Sequence, residues 1–215
     1  TLIEQLIGLR PVRPGQARLN GVDIAFLPVE TLRRTFAWSP QDAALLAGTV
    51  RENLLLADPH ASEARLWQAL HDAALDARVR ALPDGLDSWI GENGERLSGG
   101  ERRRLSLART YLADLPWLLL DEPTEGMDLV ATTQILSLVR ELHEQDRLTV
   151  LMVSHALNEV ANYVERIALV LEGGFRIGRV DEHLDGGGPS GGDVARILRW
   201  DHDCGARRPF VDRAA

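Results

Sequence analysis

Trp117-Leu118-Leu119-Leu120-Asp121-Glu122-Pro123 is the stretch on which the fold reading turns. Its unbroken apolar run suits a strand buried on both faces of a parallel sheet, where alternation disappears because neither face meets water. Two carboxylates follow at once. In open α/β sheets the C-terminal ends of the strands are where ligands bind, so acids there are placed for chemistry. A second run, Val150-Leu151-Met152-Val153, has the same character and ends in Ser154-His155. Between and around these runs lie helical patterns over residues 101–113 and 130–144, and a further strand over 167–171. The alternation predicts an α/β sandwich.

On the N-terminal side, residues 1–9 carry Leu2, Leu6 and Leu9 as a helical stripe that Pro11, Pro14 and Gly15 end. Residues 17–24 alternate about Asn20-Gly21, a hairpin signal, and Phe36-Ala37-Trp38 is a short strand closed by Ser39-Pro40-Gln41. From 49 to 82 the pattern turns helical, with Leu66, Ala69, Leu70 and Ala73 on one face, until Pro83-Asp84-Gly85 stops it. This reads as a helical insertion. Toward the C-terminus, Gly186-Gly187-Gly188-Pro189-Ser190-Gly191-Gly192 has linker composition. The expected organisation is a first core part over 1–40, a helical subdomain over 41–115, a second core part over 116–183, and a linker and tail over 184–215.

Composition bounds the function. The 215 residues carry a formal net charge of -8, which disfavours general affinity for nucleic-acid backbones. No apolar run reaches the roughly 18 residues of a membrane-spanning helix. The single cysteine, Cys204, forms no intrachain disulfide, as expected of a reducing compartment.

Leu97-Ser98-Gly99-Gly100-Glu101 precedes the 101–113 helix. Ser98 and Glu101 have the spacing of a capping box, which satisfies free N–H groups at a helix start. The glycines also clear the way for a phosphate to reach those N–H groups, and both readings stand at this point. For Asp121 and Glu122, the bland alternative is loop or cap residues. Together they suit a metal-nucleotide hydrolase, Asp121 near Mg²⁺ and Glu122 orienting or deprotonating water. His155 falls on the same sheet edge and could bond a phosphate or the attacking water. Gln41, after its own strand, suits a turn residue or a Mg²⁺ or water contact.

These pieces, in this order, resemble the nucleotide-binding domain of an ABC transporter over residues 1–180. Gln41 matches the family's Q-loop, Leu97 to Glu101 its signature motif, Leu118 to Pro123 its Walker B strand, Glu125-Gly126-Met127-Asp128 its D-loop and His155 its switch histidine. The resemblance implies a P-loop NTPase (RecA-like) α/β core with an inserted α-helical subdomain, and ATP and Mg²⁺ as ligands. It implies catalytic roles for Glu122, His155 and Gln41, metal contacts for Asp121 and Gln41, and nucleotide contacts for Ser98, Gly99, Gly100 and Thr1, with Asp128 in the D-loop. Ser98 and Gly100 would face ATP held by a second subunit.

No G-x-x-x-x-G-K-[ST] run occurs in the sequence, and Thr1-Leu2 is similar to the residues directly after that loop. The expectation is that strand and phosphate loop lie upstream, so that the 215 residues alone would be inactive and bind ATP weakly. Leu46-Ala47-Gly48-Thr49-Val50-Arg51-Glu52-Asn53-Leu54 is similar to exporter-type domains, where this region meets the coupling helices of a transmembrane domain. Thr124 to Asp128, with Arg102-Arg103-Arg104, is most similar to one half of the heterodimeric bacterial exporters of glutathione and cysteine used in cytochrome bd assembly. The resemblance thus implies an ATPase at the cytoplasmic face of the bacterial inner membrane, paired head-to-tail with a second nucleotide-binding subunit and binding no nucleic acid. The alternatives are a multidrug or lipid exporter domain and a soluble ABC-type ATPase outside transport. A non-catalytic subunit would usually lose the glutamate or histidine, and both Glu122 and His155 are present.

Overall fold

The computed structural model describes residues 2–42, 44–146, 148–171, 174–179 and 196–200. The chain opens with α1 (Leu2–Leu6), the hairpin β1 (Arg18–Leu19) and β2 (Val22–Asp23), and α2 (Val29–Arg33), before β3 (Phe36–Ser39) enters the main sheet. The hairpin turns on Asn20 and Gly21, both at positive φ (50° and 83°), as a tight two-residue turn demands. The helical stripe expected at Leu2, Leu6 and Leu9 is corrected: α1 buries Ile3, and Ile7 just beyond it, while Leu2 and Leu9 are exposed. Gly8, at φ +76°, ends the turn before the stripe can run on to Leu9.

The insertion follows as β4 (Gly48–Thr49), α3 (Val50–Leu55), α4 (Glu63–Asp72), α5 (Asp76–Arg80), β5 (Trp89–Gly91) and α6 (Gly99–Leu112). Thr49 caps α3 in a capping box with Glu52, and Ser62 caps α4 through the Arg65 N–H. α4 buries Leu66, Ala69 and Leu70, the face its 3.6-residue period marks, with Ala73 buried just after it. The chain returns through β6 (Trp117–Asp121), α7 (Leu129–Asp146), β7 (Thr149–Ser154), α8 (Leu157–Val160), β8 (Arg166–Leu171), β9 (Gly174–Arg179) and β10 (Arg196–Trp200).

The main sheet has the order β3-β6-β7-β10-β8-β9. β3, β6 and β7 are mutually parallel neighbours, whereas β10 runs antiparallel to both β7 and β8. The two faces of the sheet meet two cores. Leu118 and Leu120 of β6, with Val150 and Met152 of β7, pack with α4, α6 and α7. Leu119 and Leu151 point the other way, toward Ile3, Ile7, Ile24, Leu32 and Phe36. Leu118, Leu119 and Leu120 are therefore all buried, each contributing about 1.5–3 kcal/mol. The mixed α/β architecture, with β3, β6 and β7 parallel and a helical insertion between β3 and β6, is the one expected of a P-loop NTPase core. Within the 184–215 stretch read as linker and tail, Arg196–Trp200 forms a strand inside this sheet.

Candidate functional site

The parallel register fixes which chain ends meet. Ser39 pairs with Leu120 and Asp121 with Val153, so Gln41, the Asp121-Glu122 pair and His155 all leave the sheet from one edge. Glu122 has φ +45°, in the left-handed region that non-glycine residues seldom visit. Its backbone is held there on both sides: its N–H donates to the Val153 carbonyl (2.9 Å), and its own carbonyl accepts from the Glu125 N–H (3.2 Å). The side chain engages His155 with both oxygens. Glu122 Oε1 lies 2.9 Å from His155 Nδ1, and Oε2 accepts from the His155 N–H at 3.3 Å. The Glu122 hydrogen bond and charge hold the His155 imidazole above its ordinary pKa. Burial, and then the neighbouring Glu122, push the Asp121 carboxyl up as well.

The 98–101 segment is a complete helix start. Ser98 Oγ accepts from the Glu101 N–H (3.2 Å), and the Ser98 N–H donates to Glu101 Oε2 (2.9 Å). Arg78 Nε reaches Glu101 Oε1 at 2.7 Å. Burial pushes the Glu101 carboxyl up, but the Ser98 N–H and Arg78 outweigh it and hold it below its usual range. Capping explains Ser98 and Glu101, not the glycines. Neither Gly99 nor Gly100 has a positive φ, and a Cβ on either would meet nothing within 4 Å of its own chain. Packing and conformation thus leave both free to be alanine, a better helix former.

Ser98, Gly99 and Gly100 line one wall of a cleft of about 790 Å³, with Gln41 and Asp128 among the other walls. Asp128 Oδ1 also caps α7 by accepting from the Ala131 N–H (2.8 Å). Asp121, Glu122 and His155 do not line this cleft, so the residues singled out in the sequence form two groups, a cleft set and an edge set. Gln41 joins them: its Nε2 donates to Glu125 Oε2 (2.5 Å), three residues beyond Glu122. Thr1 lies outside the described residues.

Arg103, which sequence reasoning left without a role, holds the Gln41 loop. It is only 9% exposed, and its guanidinium donates to the carbonyls of Pro40 (3.3 Å) and Gln41. Burial lowers its pKa, against the opposing charges of Glu125, Asp42 and Glu122. A signal existed. Arg103 shares the buried helical stripe of Ser106, Leu107 and Thr110, which distinguishes it from Arg102 and Arg104.

The edge set fits Mg²⁺. Among the described residues no group of three or more His, Cys, Asp or Glu forms a metal cage, and a magnesium site needs none. Mg²⁺ takes one or two carboxylates, keeps waters and shares substrate phosphates. Asp121, whose ionised form is disfavoured by burial and then by the neighbouring Glu122, is the carboxylate that a cation would relieve.

The ABC transporter family matches residues 1–125. The chain is similar to the glutathione/L-cysteine transport system ATP-binding/permease protein CydC of Escherichia coli K12, at 42% identity over 79% of this chain and 29% of the relative. It is similar to the mycobactin import ATP-binding/permease protein IrtA of Mycolicibacterium smegmatis, at 40% identity over 81% of this chain and 20% of the relative. The probable multidrug resistance ABC transporter ATP-binding/permease protein YheI of Bacillus subtilis is 32% identical over 81% of this chain and 29% of its own length. Among solved structures, a bacterial Atm1-family ABC exporter with ATP bound matches with TM-score 0.73 and 30% identity, over 84% of this chain and 31% of that one. The chain thus spans less than a third of the length of these relatives.

Proposed function

The chain belongs to the ABC transporter family, and from that premise we propose that it is the ATP-binding and ATP-hydrolysing part of an exporter half. The observation that carries this reading is the Glu122–His155 pair at the strand ends, with Asp121 beside it. Glu122 orients the attacking water and takes its proton. Its charge is engaged by His155, and a phosphate that attracts the raised-pKa imidazole would leave the carboxylate free to act. Asp121 and Gln41 would hold Mg²⁺, which when bound offsets the charge on the phosphates.

The cleared N-terminus of α6 supports a second role for the same chain. Gly99 and Gly100 offer backbone N–H groups, and Ser98 its hydroxyl proton, at the positive end of the helix dipole to ATP carried by a second nucleotide-binding subunit, head-to-tail. ATP shared across that interface stabilises the closed pair and hydrolysis removes the contribution, which drives the transmembrane half through its coupling helices. Among the described residues no helix is long and apolar enough to cross a membrane. The likeness to ATP-binding/permease relatives supports placing the spans in a transmembrane domain and this chain at the cytoplasmic face of the inner membrane.

For the cargo we favour thiol compounds such as glutathione or cysteine, as in a heterodimer serving cytochrome bd assembly; the 42% identity to CydC supports this. The identities to IrtA and YheI favour a second reading, a domain serving another cargo. Glu122→Gln in the intact transporter, with the partner's own site disabled, is the test. ATP binding should persist while single-turnover hydrolysis slows by roughly 10²-fold or more. An unchanged rate removes Glu122 from the chemistry.

A further inference from the structure

Gln41 is exposed, yet neither end of it is free to wander. Arg103, buried in the α6 stripe, holds its backbone by donating to the Pro40 and Gln41 carbonyls. Glu125 holds its side chain at 2.5 Å. The chemistry of this last contact is directional. An ionised carboxylate can only accept, so the amide must present its NH₂ to Glu125, leaving Oε1 as the end turned away. A primary amide has two faces of opposite use: the oxygen can ligate a cation or accept a water proton, and the nitrogen can do neither. An unconstrained glutamine would offer both by rotating about its last bond.

We propose that Glu125 is a positioning residue that sets the orientation of the Gln41 amide, committing Nε2 to the Glu125 carboxylate and leaving Oε1 as the end available to a cation or a water. The metal side of this assignment rests on the function proposed above; the orientation itself does not. Stability is not the reason for the contact. Both side chains are exposed, and such a pair contributes little to folding. Its effect is to remove the wrong amide rotamer. Arg103 makes that effect usable, because a fixed side-chain amide on a mobile backbone would orient nothing.

Two measurements test it. In the 215-residue chain labelled with ¹⁵N, the Gln41 side-chain amide signal is identified by its loss in Gln41→Ala. Glu125→Ala should move that signal by more than its linewidth and leave the Gln134 amide, held by Arg104, in place. An unmoved Gln41 signal overturns the proposal. In the intact transporter, Glu125→Ala should raise the Mg²⁺ concentration for half-maximal ATP hydrolysis about three- to tenfold, the worth of one hydrogen bond, with the melting temperature unchanged. In a Gln41→Ala background the same substitution should have no further effect. An equal rise in both backgrounds means that Glu125 acts on the cation by its own charge, which also overturns the proposal. If the intact transporter shows no Mg²⁺-dependent hydrolysis, the functional reading fails instead, and the amide signal alone decides the orientation.

Discussion

A left-handed backbone at Glu122 costs about 1–2 kcal/mol for a residue with a Cβ. The chain sustains it with hydrogen bonds on both sides of the residue, and the return is a carboxylate turned onto His155. The consequence is measurable as a proton equilibrium. Because the hydrogen bond and charge of Glu122 raise the His155 pKa, the pair's contribution to stability is complete below the ordinary value of 6.5 and is lost as pH rises through the higher folded value. Titration of the His155 ring protons by NMR should give a midpoint above 6.5 that falls back toward it in Glu122→Gln. Equal midpoints in the two proteins would mean that the pair does not form in solution. The residue types were legible in the sequence because acids after a buried run stand out; the pairing was not, since it depends on a positive φ that no local signal at Glu122 announces.

At the scale of one element, the first turn of α6 is a capping box, and the proposed function gives it a second role. Its capping box makes Ser98→Ala cost about 0.5–2 kcal/mol whatever the helix binds, so stability alone says nothing about a ligand. Gly100 separates the roles. The open space around it and the helix dipole accommodate an acidic side chain, so Gly100→Asp should melt within about a degree of the unmodified protein. In the intact transporter, however, its carboxylate would repel the phosphate of the partner's ATP. ATP-dependent association, followed by cross-linking or light scattering, should be lost. Retained association would reduce the segment to a cap and remove the shared-ATP arrangement. The same helix carries Arg103 inward, and here the sequence was only half legible. The helical period marks Arg103 as inward-facing, but its partners, Pro40 and Gln41, lie more than 60 positions away along the chain. No periodicity reaches that far.

For the whole molecule, the sheet joins strands with very different claims on it. β3, β6 and β7 are held by cores on both faces, whereas β10 stands between β7 and β8 and runs against both. A proline there breaks ladder bonds of an interior strand. Leu198→Pro, at the middle of β10 opposite Met152 and Ile167, should cost about 1–3 kcal/mol and lower the melting temperature by roughly 3–10 °C. An unchanged melting temperature would show that β10 contributes nothing to the sheet. The Gly-rich composition before it points to a linker, and Arg196-Ile197-Leu198-Arg199-Trp200 neither alternates nor forms an unbroken apolar run that would declare a strand; only two unpaired edges at the right spacing make it one. Local sequence was enough for the buried strands, the helical face of the insertion and the edge where Gln41, Asp121, Glu122 and His155 gather, because each stems from a local period or from the end of an apolar run. It took the folded chain to select Ile3 and Ile7 over Leu2 and Leu9 for the core, to bring Glu125 onto Gln41, to anchor that loop with Arg103 and to draw β10 into the sheet. These depend on groups distant in sequence being brought within hydrogen-bond or van der Waals reach, and that distance is set by the fold as a whole.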